Sequence, residues 1–377
     1  MRVVLNVTIA VIAILVFTFS IQLMGVAFKS WGSDTARSIL EVTSNPFIGL
    51  FIGLLVTAIL QSSSTTTSLA VAAVASGSVS LQHAVPIVMG ANIGTTITST
   101  IVSLGYITKT NEFRKAISAG TSHDIFNVIV VMLLFPLELQ YQFLTKMSLK
   151  IASFLPTPQA SDANGLGSVL QVFEPLENGL LALLGPVPLL VLSVFLLFGT
   201  IKYISSMLYH RLIGPARRKL DLYFFHSQLQ SFGWGLLVTG IVQSSSLTTS
   251  LIVPLVATGK VKANKAFQFI LGANLGTTIT AILAAIFKSE AAISLAIAHF
   301  MFNLIGVAIF MIVPALNRIP TYLSDKLGYY TLKNRIIGFV YVLITFFFLP
   351  FSLIYFSNDQ ERIVSQDEDI EVMEAKR

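Results

Sequence analysis

The chain has no cysteine among its 377 residues. That excludes disulfide scaffolds, thiol catalysis and thiolate-bound metal. Charge is scarce too, at 11% of residues, against about 25% in an ordinary soluble domain. So little charge cannot keep a body of this size in water, and the mean hydropathy of +0.79 places it in a bilayer instead. No charge-rich stretch divides the chain, which therefore reads as a single polytopic domain. The net charge of +6 does not imply nucleic acid, because the basic residues fall between apolar runs. That is the pattern that orients membrane helices.

Apolar runs of spanning length lie at 3–27, 84–105, 115–137, 187–208, 266–287, 291–313 and 336–356. The first follows Arg2, and Gly25-Val26-Ala27 loosely resembles a signal-peptide cleavage site. A run of about 25 residues is nonetheless long enough for an uncleaved first helix. Two further apolar stretches, 46–76 and 232–258, are each interrupted by the phrase Gln-Ser-Ser-Ser. They read as re-entrant hairpins. The tail from Asn358 to 377 is acidic and polar and carries no packing signal.

The chain repeats itself. A shift of 182 residues aligns Gly53–Thr98 with Gly235–Thr280, with 28 identities in 46 positions. After a six-residue gap, His123-Asp-Ile-Phe-Asn127 falls on His299-Phe-Met-Phe-Asn303. Repeat one covers about 1–150 and repeat two about 187–315. With the hairpins re-entrant and the N-terminus inside, 16 of the 24 Lys and Arg fall on the inner side, as the positive-inside rule requires. Three spans and a hairpin per repeat then invert the second repeat relative to the first. Hairpin one opens outward and hairpin two inward, the symmetry of many secondary transporters. The expected fold class is an all-α polytopic membrane protein, an inverted-repeat design with two hairpins and broken helices.

One serine cluster in a membrane helix usually just packs or bonds to its own backbone. Two copies, each starting with Gln and each at a hairpin midpoint, ask for more. Irregular backbone at membrane depth must face protein or a watery cavity. Ser62, Ser63 and Ser64, and Ser244, Ser245 and Ser246, can cap a new half-helix there and leave its first N–H groups free. Such an end suits an anion. Gln61 and Gln243 offer a carbonyl to a cation and an amide to an anion. In the second repeated phrase, Gly90, Gly94, Gly272 and Gly276 are expected to open a helix, with Asn92, Thr95, Thr96, Asn274, Thr277 and Thr278 lining the break. The competing reading of those glycines is close helix packing. Oxygen ligands without thiolate favour a hard ion such as sodium. No Lys or Arg lies in either phrase, so an anion is held by dipoles, hydroxyls and co-bound cations. Asp124 is the clearest acid near this core, and ionisable residues within a span are functional by default. Repeat two carries Phe300 there, so a site using Asp124 exists in one half only. His123 and Asp124 could instead sit solvated at the interface, and His299 could be a bonded core histidine. Asn127 and Asn303 recur in both halves as candidate cation ligands or their supports.

The paired Gln-Ser-Ser-Ser hairpins, paired Gly-x-Asn-x-Gly-Thr-Thr helices and the His-Asp-x-Phe-Asn segment resemble the type II sodium-dependent phosphate cotransporter family over about 35–315. The resemblance implies a transporter that moves inorganic phosphate with sodium, without an organic cofactor. It implies phosphate at Gln61–Thr66, which adds Thr65 and Thr66, and at Gln243–Thr249, which adds Thr248 and Thr249. Sodium is then shared among Gln61, Ser64, Gln243, Ser246, the Asn-Gly-Thr phrases and Asp124. Animal members carry a large cysteine-containing loop between repeats. Here the 157–183 connection is short and cysteine-free, as in a bacterial homologue in the inner membrane. Carrying one charge into a negative cell costs about 2.3 kcal/mol per 100 mV, so divalent phosphate costs about 4.6 and two sodium ions cancel it. The alternatives are the same architecture moving another oxyanion, and an anion channel. An enzyme is disfavoured, since no base lies beside either serine cluster.

Overall fold

The computed structural model describes residues 2–30, 45–155, 173–208, 224–286, 289–352 and 354–355. The acidic tail and most of the inter-repeat connection expected from sequence lie outside these residues. Every regular element among the described residues is helical. Among the described residues, four helices are long and apolar enough to cross a membrane: Leu81–Leu104, Glu112–Tyr141, Ala263–Ala285 and Glu290–Ile312.

Helix α1 (Arg2–Ser30) lies at the start of the stretch read as repeat one. It is followed there by α2 (Pro46–Leu60), α3 (Ser63–Ser76), α4 (Leu81–Gly94), α5 (Ile97–Leu104) and α6 (Thr110–Tyr141). Helix α7 (Phe143–Ala152) follows, held by the buried Glu138 near the end of α6. Its carboxylate accepts the N–H groups of Leu144 at 2.7 Å and Thr145 at 3.3 Å, and the Thr145 hydroxyl. Orphan donors at a helix start need such a partner. After α8 (Glu174–Leu184), the stretch read as repeat two holds α9 (Pro186–Leu208), α10 (Gln228–Val242), α11 (Ser245–Ala257), α12 (Ala263–Ala285) and α13 (Glu290–Ile312). Helix α14 (Pro314–Lys333) and α15 (Ile336–Leu343) follow, α15 continuing into a π-helical turn at Ile344–Phe348. The sixth and seventh expected spans thus appear as helices, as does the first, whose Ile21, Leu23, Met24 and Ala27 are buried.

The same joint holds the first hairpin arm in each half. Helix α2 packs along α4 and α10 along α12, and glycines make both contacts close. A Cβ at Gly90 would lie 1.8 Å from the Leu50 carbonyl oxygen, and one at Gly272 would lie 2.0 Å from that of Phe232. Gly94 and Gly276 face Leu54 O and Leu236 O in the same way, at 2.3 and 2.6 Å. This is the small-residue helix packing of membranes, in which backbone approaches backbone because no apolar solvent effect drives association.

The second hairpin arms lie between the halves. Helix α3 packs on α4 of its own repeat and on α12 and α13 of repeat two, while α11 packs on α12 of its own repeat and on α6 and α5 of repeat one. Phe126, Phe267 and Phe310 meet edge-on between the halves at centroid distances of 4.9–6.5 Å. The outer surface carries Met132, Leu183, Phe195, Ile312 and Phe348 well exposed. Such a large apolar surface is expected where the surroundings are lipid.

Candidate functional site

Both Gln-Ser-Ser-Ser phrases form the same break. Gln61 ends α2 with φ 54° and ψ 30°, and Gln243 ends α10 with φ 56° and ψ 27°. These are left-handed conformations that cost a residue with a Cβ about 1 kcal/mol or more. The next serine turns extended and starts the second arm. Ser62 Oγ accepts the Thr65 N–H at 3.2 Å, and Ser244 Oγ accepts the Leu247 N–H at 3.3 Å. The N–H groups of Ser63, Ser64, Ser245 and Ser246 then point out of the first turns of α3 and α11, where no residue of their own helix can accept them.

The two tips meet. Ser64 Oγ donates to Gln243 O at 3.5 Å, and Ser246 Oγ donates to Gln61 O at 3.2 Å. Each tip thereby hangs on the backbone of the other's left-handed glutamine. Thr95 lies between them, with its hydroxyl 3.2 Å from Ser63 Oγ and 3.4 Å from Ser245 Oγ. Thr280 joins from α12, 3.5 Å from Ser64 Oγ. Thr66 takes a bond from Thr57 at 2.8 Å, and the Thr65 and Ser62 hydroxyls pair at 2.8 Å. Thr248 and Thr249 donate back to Ser244 O and Ser245 O.

The Asn-Gly-Thr phrases are built as expected in one half only. In repeat one the helix ends at Gly94 and a new one starts at Ile97, with Thr95 and Thr96, both right-handed, at the interruption. In repeat two α12 runs unbroken through Gly272 and Gly276. In both halves the glycines also serve close packing, against α2 and α10. Thr96, Thr277 and Thr278 donate to carbonyls of the preceding turn, Ile93 O, Ala273 O and Leu275 O. Of the four threonines only Thr95 faces the tips.

The asparagines and histidines form a buried lattice across the two halves. His123 Nε2 lies 3.1 Å from Asn274 Oδ1, and its counterpart His299 Nε2 lies 3.3 Å from Asn92 Oδ1. Asn274 Nδ2 donates to Asn127 Oδ1 at 3.0 Å and to Asn303 Oδ1 at 2.6 Å. Asn303 Nδ2 donates to Asn92 Oδ1 at 3.2 Å, and Asn127 Nδ2 to Asn92 O at 2.6 Å. All six side chains are at most 2% exposed. His123 and Asp124 are therefore core groups, not solvated interface residues, and His299 is a bonded core histidine. Each of the four amide oxygens is already engaged by an N–H group.

Asp124 is fully buried. Its Oδ2 accepts from Thr100 at 2.7 Å and from Tyr341 at 3.1 Å, while Oδ1 has no partner. Sequence reasoning missed Thr57, Thr100, Thr280 and Tyr341. Thr280 ended a repeated phrase and was within reach. Tyr341, outside the duplication, gave no signal. Among the described residues no cluster of three His, Asp or Glu could hold a metal.

These features define a class: polytopic helical membrane proteins with an internal duplication and a hydroxyl-lined centre where half-helices meet. The profile of the Na+/Pi-cotransporter family matches residues 16–155 and 195–352, and the chain belongs to that family. Sodium-dependent phosphate transport protein 2A of Ovis aries is 30% identical over 418 residues, covering 89% of this chain and 65% of that protein. Protein 2B of Homo sapiens is 27% identical over 435 residues, covering 89% and 63%. Protein 2C of Rattus norvegicus is 31% identical over 426 residues, covering 89% and 70%. The chain thus spans a little under two thirds of the 2A and 2B relatives. No solved structure matches it.

Proposed function

We propose that this chain is a sodium-coupled importer of inorganic phosphate in the bacterial inner membrane, working by alternating access. Membership of the Na+/Pi-cotransporter family supports the substrate pair. The observation that carries the site is the crossed contact of the two tips, Ser64 on Gln243 O and Ser246 on Gln61 O. It brings two helix starts, with their free N–H groups and serine hydroxyls, to one point free of Lys and Arg. Phosphate oxygens accept from those groups, and the helix-end dipoles favour the anion.

A phosphate cannot enter between atoms already 3.2–3.5 Å apart, so loading requires the tips to part. Each tip belongs to one repeat, while its second arm packs on the other. Rocking one repeat against the other therefore moves both tips, with the histidine–asparagine lattice as the polar joint between them. Sodium binds where an oxygen is free to take it. Asp124 Oδ1, unpaired and buried, is that oxygen, and its negative charge supplies what the neutral amides lack. The amides of Asn92, Asn127, Asn274 and Asn303 hold the joint in register and meet a cation only when the lattice opens.

The test is radiolabelled phosphate uptake into proteoliposomes under an inward sodium or potassium gradient. Concentrative uptake with sodium alone is expected. Ser63→Ala and Ser245→Ala should each cut uptake more than tenfold, a loss of about 1.5–3 kcal/mol for a bond to a charged ligand, with normal membrane insertion. Near-normal uptake by both variants would remove the tips from the site. Uptake indifferent to sodium would leave a channel or a proton-coupled carrier.

A further inference from the structure

The seventh span has no counterpart within the duplication, yet it is built against one half of the site. Helix α15 packs on α5 and α14, and it approaches closely through a glycine. A Cβ at Gly338 would lie 2.8 Å from Leu104 Cδ2 and 2.9 Å from Thr331 Cγ2. One turn on, Tyr341 reaches the core, and its hydroxyl lies 3.1 Å from Asp124 Oδ2. The helix then widens into the π-helical turn Ile344–Phe348, with Phe346 fully buried. Single π turns of this kind gather at functional sites, because the extra residue re-aims the side chains around it.

The placement is asymmetric in the way the chemistry is. Repeat two carries Phe300 where repeat one carries Asp124, and Tyr341 serves the half that holds the acid. Thr100 and Tyr341 both donate to Oδ2, at 2.7 and 3.1 Å, which leaves Oδ1 as the unpaired oxygen. A buried carboxylate with two donors on one oxygen is limited in rotation. Its other oxygen has no direct hydrogen bond, although the Thr96 side chain lies close to the carboxyl, and is aimed for a further partner. We infer that Tyr341 is a positioning residue for the cation step: its hydroxyl holds Asp124 so that Oδ1 is presented to sodium. The inference rests on the reading of Asp124 as the sodium carboxylate.

The full chain carrying Tyr341→Phe, Asp124→Asn or both is reconstituted and compared with the unaltered chain in two assays. One is phosphate uptake against sodium concentration. The other is thermal unfolding in sodium chloride against potassium chloride. Tyr341→Phe is expected to raise the half-saturating sodium concentration about tenfold in both assays, with a smaller change in maximal rate and little change in the potassium melting point. Asp124→Asn should abolish the sodium response, and the double variant should then match it, since Tyr341 acts only through Asp124. An unchanged sodium half-saturation in Tyr341→Phe, with the response lost in Asp124→Asn, overturns the role of Tyr341 alone. So does a lower potassium melting point with unchanged half-saturation, which marks a merely structural hydroxyl. A normal sodium response in Asp124→Asn overturns the reading of Asp124 and this inference with it.

Discussion

Replacing Gly90 by alanine places a methyl carbon 1.8 Å from Leu50 O, 2.7 Å from Leu50 C and 2.9 Å from Leu54 N. All three atoms are backbone, so no side chain can swing away. For ordinary contact, α2 has to retreat from α4 by roughly 1.5 Å, which unseats α2 and the Gln61 tip it carries. Two effects oppose each other. Alanine in a helix is better than glycine by about 1 kcal/mol, whereas forcing a carbon into a tight joint costs about 1–3 kcal/mol and more when backbone must move. The clash wins, and a net loss of about 3 kcal/mol is expected. Gly272→Ala, whose Cβ meets Phe232 O at 2.0 Å, should lose as much, because the joint is duplicated. The assay is thermal unfolding of detergent-solubilised protein, read by the monodisperse fraction surviving each temperature. Gly199→Ala is the reference, since nothing lies within 4 Å of its Cβ; it should be neutral or slightly stabilising. If Gly90→Ala and Gly272→Ala melt with Gly199→Ala, the close-packing assignment is wrong and a helix-opening role for these glycines returns.

Two further outcomes follow from the polar contacts. Asn274→Ala strips partners from His123, Asn127 and Asn303 together and should cost about 3 kcal/mol through buried groups left unpaired. Thr278→Ala, whose hydroxyl bonds only within its own turn, should cost well under 1 kcal/mol, and equal melting points for the two would contradict the lattice as the joint. Arg114 and Asp325 make a two-pronged pair at 3.0 and 2.5 Å between α6 and α14, but their side chains are 44% and 49% exposed. Breaking it with Asp325→Ala should cost less than about 1 kcal/mol and should matter less as salt rises; a larger, salt-independent loss would show that the pair is a structural clamp.

The tips were legible from sequence because their geometry is local. A glutamine turning left-handed and a serine capping the next helix need only the four-residue phrase, and the phrase is written twice. The histidine–asparagine lattice was half legible. The sequence placed His123, Asn127, His299 and Asn303 in matching positions, but not that the partners cross from one repeat to the other. That crossing is a tertiary fact, made where α6 meets α12 and α4 meets α13 across the repeats. The glycines of repeat two were misjudged for a physical reason. Lack of a Cβ permits both a break in a helix and the close passage of another one, and the phrase Gly-x-x-x-Gly is the same for either. The deciding signal lay elsewhere in the chain. Gly53 and Gly235, at matching positions in α2 and α10, are themselves pressed to 1.9 and 2.0 Å from the carbonyl oxygens of Ile87 and Phe269. Glycines on both sides of a contact mean approach, since a break needs them on one side only.

Duplication explains what is paired in this protein, and Asp124, which falls on Phe300 in repeat two, is a place where the two halves differ. The Asp124 carboxylate is buried, and a buried charge is tolerated only when hydrogen-bonded or joined by a counter-ion. Thr100 comes from within the repeat and supplies one bond. The second comes from outside the duplication, from Tyr341 on the helix that follows both repeats.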